Sequence, residues 1–333
     1  MPALLATVLG QSTAVQTLRR ALASGRAHHA YLFDGPDGVG KERAAFGLAQ
    51  ALVCERRQAG SADACGECSA CTRALPRAGE RRPTHPDVVV LERGLYDAAA
   101  IGRRTPEAQD ISIDQVRTLV LARAAFPPYE GRAKVFIVRR AEELNLSAAN
   151  ALLKTLEEPG ARTHFVLLTS SGDSLLPTIR SRTQRVRFGT LANAVVVGLL
   201  LAEGVEPERA TELSSLAGGS MATARMLADP EASGQRQEFL SRAMAAIKAR
   251  DLGLGLELAE EAKKVDKDSL AAYLGSLAAS FHAQACATAG AADRQATVAA
   301  GRHALAMEAI EQLGGNAAAQ LTVEAMLIKM RAA

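Results

Sequence analysis

A glycine-rich run set between an apolar strand-like segment and a helical pattern constrains this chain more than any other feature. Gly35-Pro36-Asp37-Gly38-Val39-Gly40-Lys41 follows the apolar run Ala30 to Phe33 and precedes the helical pattern Ala44 to Leu52. In that context backbone N–H groups and a helix N-terminus can cradle phosphate, with the lysine reaching the terminal phosphates. A strand–turn–helix unit of this kind belongs to a parallel sheet covered by helices. The rest of the first half agrees. Val88 to Leu91, Val135 to Val138 and Phe165 to Thr169 read as further buried strands. Helical patterns at Ile113 to Ala124 and Ser147 to Leu156 alternate with them, the second opened by a cap at Ser147 and stopped before Glu158 and Pro159.

The loop departs from a working one at two places. After Lys41 a phosphate loop needs a Ser or Thr hydroxyl for Mg²⁺, and here it has Glu42, which puts negative charge where phosphates would sit. A nucleotide hydrolase also needs an acid at the end of a second strand to hold the metal. The strand Val135 to Val138 ends instead in Arg139 and Arg140, and Glu142 and Glu143 arrive several residues late. Gly35, Gly38, Gly40, Lys41 and Glu42 therefore form a degenerate nucleotide-binding set. Hydrolysis is expected to be absent, and binding of ATP or ADP is left open.

Cys54, Cys65, Cys68 and Cys71 follow a C-x10-C-x2-C-x2-C pattern. Thiolates this close converge readily on a tetrahedral Zn²⁺, and a site closed by four cysteines is structural because no position stays open for water. An iron–sulfur cluster is the competing occupant. Cys286, alone in an Ala-rich helical segment, is expected to be a buried small hydrophobe.

Composition limits the remaining classes. The 333 residues suffice for two or three domains, and 48% hydrophobic with 23% charged residues describes a globular chain. A net charge of +3 is too balanced for a DNA-coating protein, and 4% aromatics with no Trp gives little for single-strand stacking. No apolar run approaches the ~20 residues of a membrane helix, and Met1 to Gly10 lacks a secretory pattern, so a cytoplasmic location is expected. Beyond about Arg187 the pattern turns helical, which places boundaries after Val186 and near Pro230. The expected domains are 1–186, 187–229 and 230–333.

The stretch Ser147 to Pro159, SAANALLKTLEEP, followed by Ile179-Arg180-Ser181-Arg182, resembles the bacterial DNA polymerase III clamp-loader family of AAA+ proteins. Further motifs agree with it: Val8-Leu9-Gly10-Gln11, His28-His29-Ala30-Tyr31-Leu32-Phe33, His85-Pro86-Asp87, Ile113-Asp114-Gln115-Val116-Arg117 and Leu216-Ala217-Gly218-Gly219-Ser220. They span most of residues 8–225. The resemblance implies an AAA+ α/β domain with helices on both faces of the sheet and an inserted zinc module at 54–71. A small helical lid and a helical collar domain follow.

Within that family Glu42, Arg139 and Arg140 side with the delta-prime branch, which does not hydrolyse ATP, rather than the catalytically active tau/gamma branch. Met221 and Ala222 after Ser220 leave no phosphate-sensing arginine at the family's place, and Arg225 comes later. The resemblance makes Arg182 an arginine finger acting in trans on a neighbour's γ-phosphate, although Thr183 stands where the family's serine-arginine-cysteine motif has its cysteine. On composition alone Arg182 is one surface arginine among Arg180, Arg185 and Arg187. Glu157 and Glu158 read as interface or capping features, not general bases. The implied partners are tau/gamma and delta subunits, and through the assembly the sliding clamp and primed DNA.

Overall fold

The computed structural model describes residues 3–101, 110–249, 252–288, 294–314 and 317–332. The chain divides into two compact units, Met1–Val195 and Val196–Ala333. The first contains a five-stranded sheet in the order β2-β3-β4-β1-β5, every neighbouring pair parallel. Its strands are β1 (Ala30–Asp34), β2 (Val88–Leu91), β3 (Lys134–Val138), β4 (Thr163–Thr169) and β5 (Gln184–Arg187). Four of them fall on the expected apolar runs. The fifth does not: β5 is an edge strand on which only Val186 is buried, so it carries no apolar run to betray it.

Period-two alternation in these strands feeds two buried faces. Leu32, Leu91, Phe136, Val138, Phe165 and Leu167 share one core cluster with residues of the Ile113–Ala124 segment and of α6 (Leu146–Glu157). Register places Phe136 beside Phe165, and their rings stack at 5.1 Å. The intervening Tyr31, Phe33, Val135 and Ile137 are equally buried, so both faces are covered. Around this sheet run α1 (Ser12–Ala23), α2 (Lys41–Val53), α3 (Ser69–Arg73), α4 (Ile113–Gln115), α5 (Ala122–Ala124) and α7 (Pro177–Arg180), with one π-helical stretch at Val116–Leu121 between α4 and α5. The cap of α6 differs from expectation. Asn145, not Ser147, accepts the Ala148 N–H at 2.8 Å, because the helix begins at Leu146, before the serine.

The second unit is helical throughout its described residues, from α8 (Asn193–Ala202), which crosses the division, through α9 (Pro207–Leu216), α10 (Met221–Ala228), α11 (Pro230–Lys248), α12 (Gly253–Ala262), α13 (Lys267–Thr288), α14 (Arg294–Gly314) and α15 (Ala319–Ala332). Phe239, Tyr273, Leu274, Phe281 and Met326 build its core. Cys286 is exposed, against expectation: it sits on α13 away from that core, with its sulfur 3.6 Å from His282 Nε2. No helix among the described residues is long and apolar enough to cross a membrane.

Two buried charges fix the loop between α5 and β3 against the start of the sheet. Asp87 accepts the N–H groups of Tyr129, Glu130 and Gly131 at 2.6, 2.9 and 2.7 Å, and its own N–H donates to His85 Nδ1 at 3.1 Å. The Lys134 ammonium donates to the carbonyls of Arg123, Phe126 and Pro127. Burial alone would raise the Asp87 carboxyl, but its N–H donors outweigh it and hold the group below the usual carboxylate range. A pKa lowered on folding contributes stability in full above the unfolded value, and that contribution is lost as pH falls through the lower folded value. Asp87→Ala is therefore expected to lower stability by about 2–4 kcal/mol at neutral pH, with the deficit shrinking in acid, as read from urea midpoints.

Candidate functional site

The phosphate loop leaves the carboxyl end of β1, a central strand. Two of its glycines are required by geometry. A Cβ on Gly35 would lie 2.0 Å from the Phe188 carbonyl oxygen, and Gly40 takes φ +100° as the residue capping α2. Lys41 opens that helix, and its ammonium turns back onto the loop, donating to Gly35 O, to Pro36 O at 2.7 Å and to Asp37 Oδ1 at 3.1 Å. Gly38, with φ +75°, lies between them on the same turn.

Glu42, next along the helix, is half-exposed, and its carboxylate is paired with Arg139 at the end of β3. Arg139 is nearly buried at 11% side-chain exposure and also donates to Glu92 at 2.7 Å, while Glu92 meets Arg81 at 2.5 Å. The guanidinium lies over the Phe46 ring, 5.7 Å from its centroid. The two departures noted in the sequence are thus one feature. A carboxylate stands where a phosphate loop would need its metal-binding hydroxyl, a guanidinium follows the strand that would need to end in an acid, and the two are paired, with Glu92 as the guanidinium's second carboxylate. The later acids are engaged elsewhere: Glu142 accepts the Ser170 N–H and hydroxyl, and Glu143 faces Arg93 and Arg140, both at 3.6 Å. Glu92 had no sequence signal, since only the β2–β3 pairing brings it to Arg139.

Cys54, Cys65, Cys68 and Cys71 place their sulfurs within 4.8 Å of one another, an arrangement able to hold a metal ion. None forms a disulfide. Cys54 ends α2, and Cys68 caps α3, on which Cys71 lies. The Cys65 N–H donates to Cys54 Sγ and the Cys68 N–H to Cys65 Sγ, both at 3.3 Å, which orients the sulfurs inward. Gln50, fully buried on α2, donates to the Cys71 carbonyl and ties the cluster to the helix behind the phosphate loop. Burial would raise the Cys65 thiol, but the Glu67 and Cys68 N–H groups and the neighbouring sulfurs bring it down to about 6, whereas burial pushes Cys71 up.

Arg182 follows α7. Its Nε and Nη2 both donate to Glu157 Oε1, the former at 2.6 Å, and its Nη1 donates to Thr178 O at 2.9 Å and to Ser181 Oγ at 3.3 Å. Thr183 donates its hydroxyl to the Ile179 and Arg180 carbonyls and so closes the end of α7. Arg180 and Arg185 both pair with Asp173, and Arg185 also with Asp34 at 2.5 Å. In the helical unit Ser220 caps α10, and Arg225 is held by Glu203 at 2.6 Å.

A family model described as DNA polymerase III, delta subunit, matches residues 10–192, a range that holds every one of these candidate residues of the first unit. The chain belongs to that family. Its relatives divide between two subunit types. Subunit delta' of Pseudomonas aeruginosa is 43% identical over 209 residues, 61% of this chain and 57% of its own. Subunit gamma/tau of Mycobacterium tuberculosis is 39% identical over 199 residues, 60% of this chain and 31% of its own. Subunit delta' of Bacillus subtilis is 30% identical over 206 residues, 62% and 56%. The chain therefore spans about a third of the gamma/tau relative and a little over half of each delta' relative. The parallel five-stranded sheet and the helical second unit of this DNA polymerase III delta-family chain form the AAA+ arrangement that its motifs led us to expect.

Proposed function

We propose that the chain is a delta-prime-type clamp-loader subunit, an AAA+ protein that hydrolyses no ATP itself and helps load the sliding clamp onto primed DNA during replication. The Glu42–Arg139 ion pair carries this reading. Mg²⁺ needs oxygen ligands, and the residues at its two protein positions are a carboxylate already neutralised and a cation that would repel it. The chain's own loop, Gly35, Gly38, Gly40, Lys41 and Glu42, does not fit a metal-bound nucleotide. Its contribution to hydrolysis is made by Arg182, acting as an arginine finger on a tau/gamma neighbour. Delta is the partner on the other side, and the three domains 1–186, 187–229 and 230–333 serve as core, lid and collar of a cytoplasmic assembly.

Cys54, Cys65, Cys68 and Cys71 fit a structural Zn²⁺, because four soft sulfur donors close its tetrahedral shell and leave no position for substrate. Zinc then staples the inserted loop to α2.

The gamma/tau relative at 39% identity favours a second reading, a catalytically active tau/gamma-type ATPase. Titration of the isolated chain with fluorescent ATP, with and without Mg²⁺, separates the two. The delta-prime reading expects no turnover and no gain of affinity from Mg²⁺. Exchanging both charges, Glu42→Thr with Arg139→Asp, is expected to raise Mg²⁺-dependent affinity at least ~10-fold, about 1.4 kcal/mol, while either change alone restores only one of the two metal-side groups and is expected to bring no gain. Sustained turnover by the unmodified chain would move it to the catalytic class.

A further inference from the structure

We propose that Glu157 is a positioning residue that parks Arg182 on its own subunit, so that the guanidinium reaches a neighbouring nucleotide only by exchanging this carboxylate for phosphate. The inference rests on the reading of Arg182 as a finger. Its basis is the way the guanidinium's donors are spent. Nε and Nη2 converge on one oxygen of Glu157, and Nη1 is held by Thr178 O and Ser181 Oγ, so the contacts that would grip a phosphate are made within the subunit.

Both members of the pair come from elements whose placement is fixed. Glu157 is the last residue of α6, which is anchored in the sheet core through Leu152 and Leu156. Arg182 follows α7, anchored in the same core by Ile179. The backbones are therefore set, and only two side chains have to move. Side-chain exposure of 32% for Arg182 and 46% for Glu157 leaves the pair at the surface, where neither side chain is walled in by the core.

Exposure also limits the strength of the latch. A surface ion pair biases its two states by roughly fivefold or less, and a phosphate with several charged oxygens in a water-poor interface is the stronger acceptor. The carboxylate thus holds the finger when no triphosphate faces it and yields when one does. Removing the carboxylate raises the fraction of Arg182 free to engage, and the gain is bounded by that same factor of ~5.

The test uses the complete clamp loader of the source organism, assembled with this chain as wild type, Glu157→Gln, Arg182→Ala and the double variant. The expected result is a rise of about two- to fivefold in kcat/KM for ATP with Glu157→Gln, and no effect of the same change when Arg182 is already alanine. In the isolated full chain, the Arg182 Nε–H resonance is expected to exchange with water several-fold faster in Glu157→Gln than in wild type, a readout independent of assembly. Unchanged or lower kcat/KM in Glu157→Gln, a gain that persists without Arg182, or unchanged Nε–H exchange would each overturn the parking role. If Arg182→Ala alone leaves ATP hydrolysis intact, the finger itself is what fails.

Discussion

Arg182→Ala in the assembled clamp loader is expected to slow ATP hydrolysis at the adjoining tau/gamma site by about 10³-fold or more, the usual worth of an arginine finger. The physical reason lies in where charge appears. Phosphoryl transfer spreads negative charge over the γ-phosphate oxygens, and a planar guanidinium with paired N–H donors stabilises that distribution where water cannot. The side chain is about a third exposed and its contacts to Thr178 and Ser181 are made by the guanidinium itself, so truncation removes the cation without opening a core cavity. Single-turnover kinetics are the appropriate measurement, because hydrolysis at other subunits continues and only one phase slows. Arg182→Lys keeps the charge but loses the planar fork, and is expected to recover a minor part of the rate. A complex whose every phase survives Arg182→Ala would leave this chain a passive member of the ring.

Removal of the zinc proposed for the cysteine cluster is expected to have the second large effect. Structural zinc binds metal-free peptides with an apparent ~10–16 kcal/mol at neutral pH, comparable to the whole stability of a domain. Besides the sulfurs, the insert from Cys54 to Pro83 is held by a short α3, the Pro76–Pro83 bridge, the Gln50 contact and polar ties at its margins, such as Arg19 to Asp63, Arg57 to the Leu22 carbonyl and Arg73 to Glu130, none of which reaches between the cysteines themselves. Cys71→Ser, or a strong chelator, is expected to abolish stoichiometric metal and to leave the amides of 54–83 open to hydrogen exchange while those of β1, β3 and β4 stay protected. Protons compete with the metal for thiolates, so affinity falls on acidification. Protection of the insert that survives complete removal of metal would refute a stapling role, and iron in place of zinc in the purified protein would change its occupant.

Local pattern made much of the first unit legible. The strands β1 to β4 are runs of apolar, mostly β-branched or aromatic residues, and a strand buried on both faces needs nothing subtler. The phosphate loop and the cysteines are equally local, since their spacing alone decides whether backbone N–H groups or sulfurs can converge. The strand β5 escaped because an edge strand needs only one buried residue, Val186, and the helix cap at Asn145 escaped because Ser147, two residues on, has the same chemistry. Cys286 was misjudged because an Ala-rich helix does not announce which of its faces is covered.

The sequence by itself determined that this is an AAA+ chain of the DNA polymerase III delta-subunit family, with a phosphate loop lacking its metal-binding hydroxyl and four cysteines able to share an ion. Only the tertiary structure decided what those departures amount to. Glu42 and Arg139 stand 97 residues apart, and they became a single ion pair because β1 and β3 flank β4 in one parallel sheet and deliver both residues to the same end of it. Glu157 and Arg182 meet in the same manner, brought together by two helices packed on one core. Charge partners carry no periodicity, and the distance between them is set by how the elements pack, so no local pattern along the chain could announce either pair.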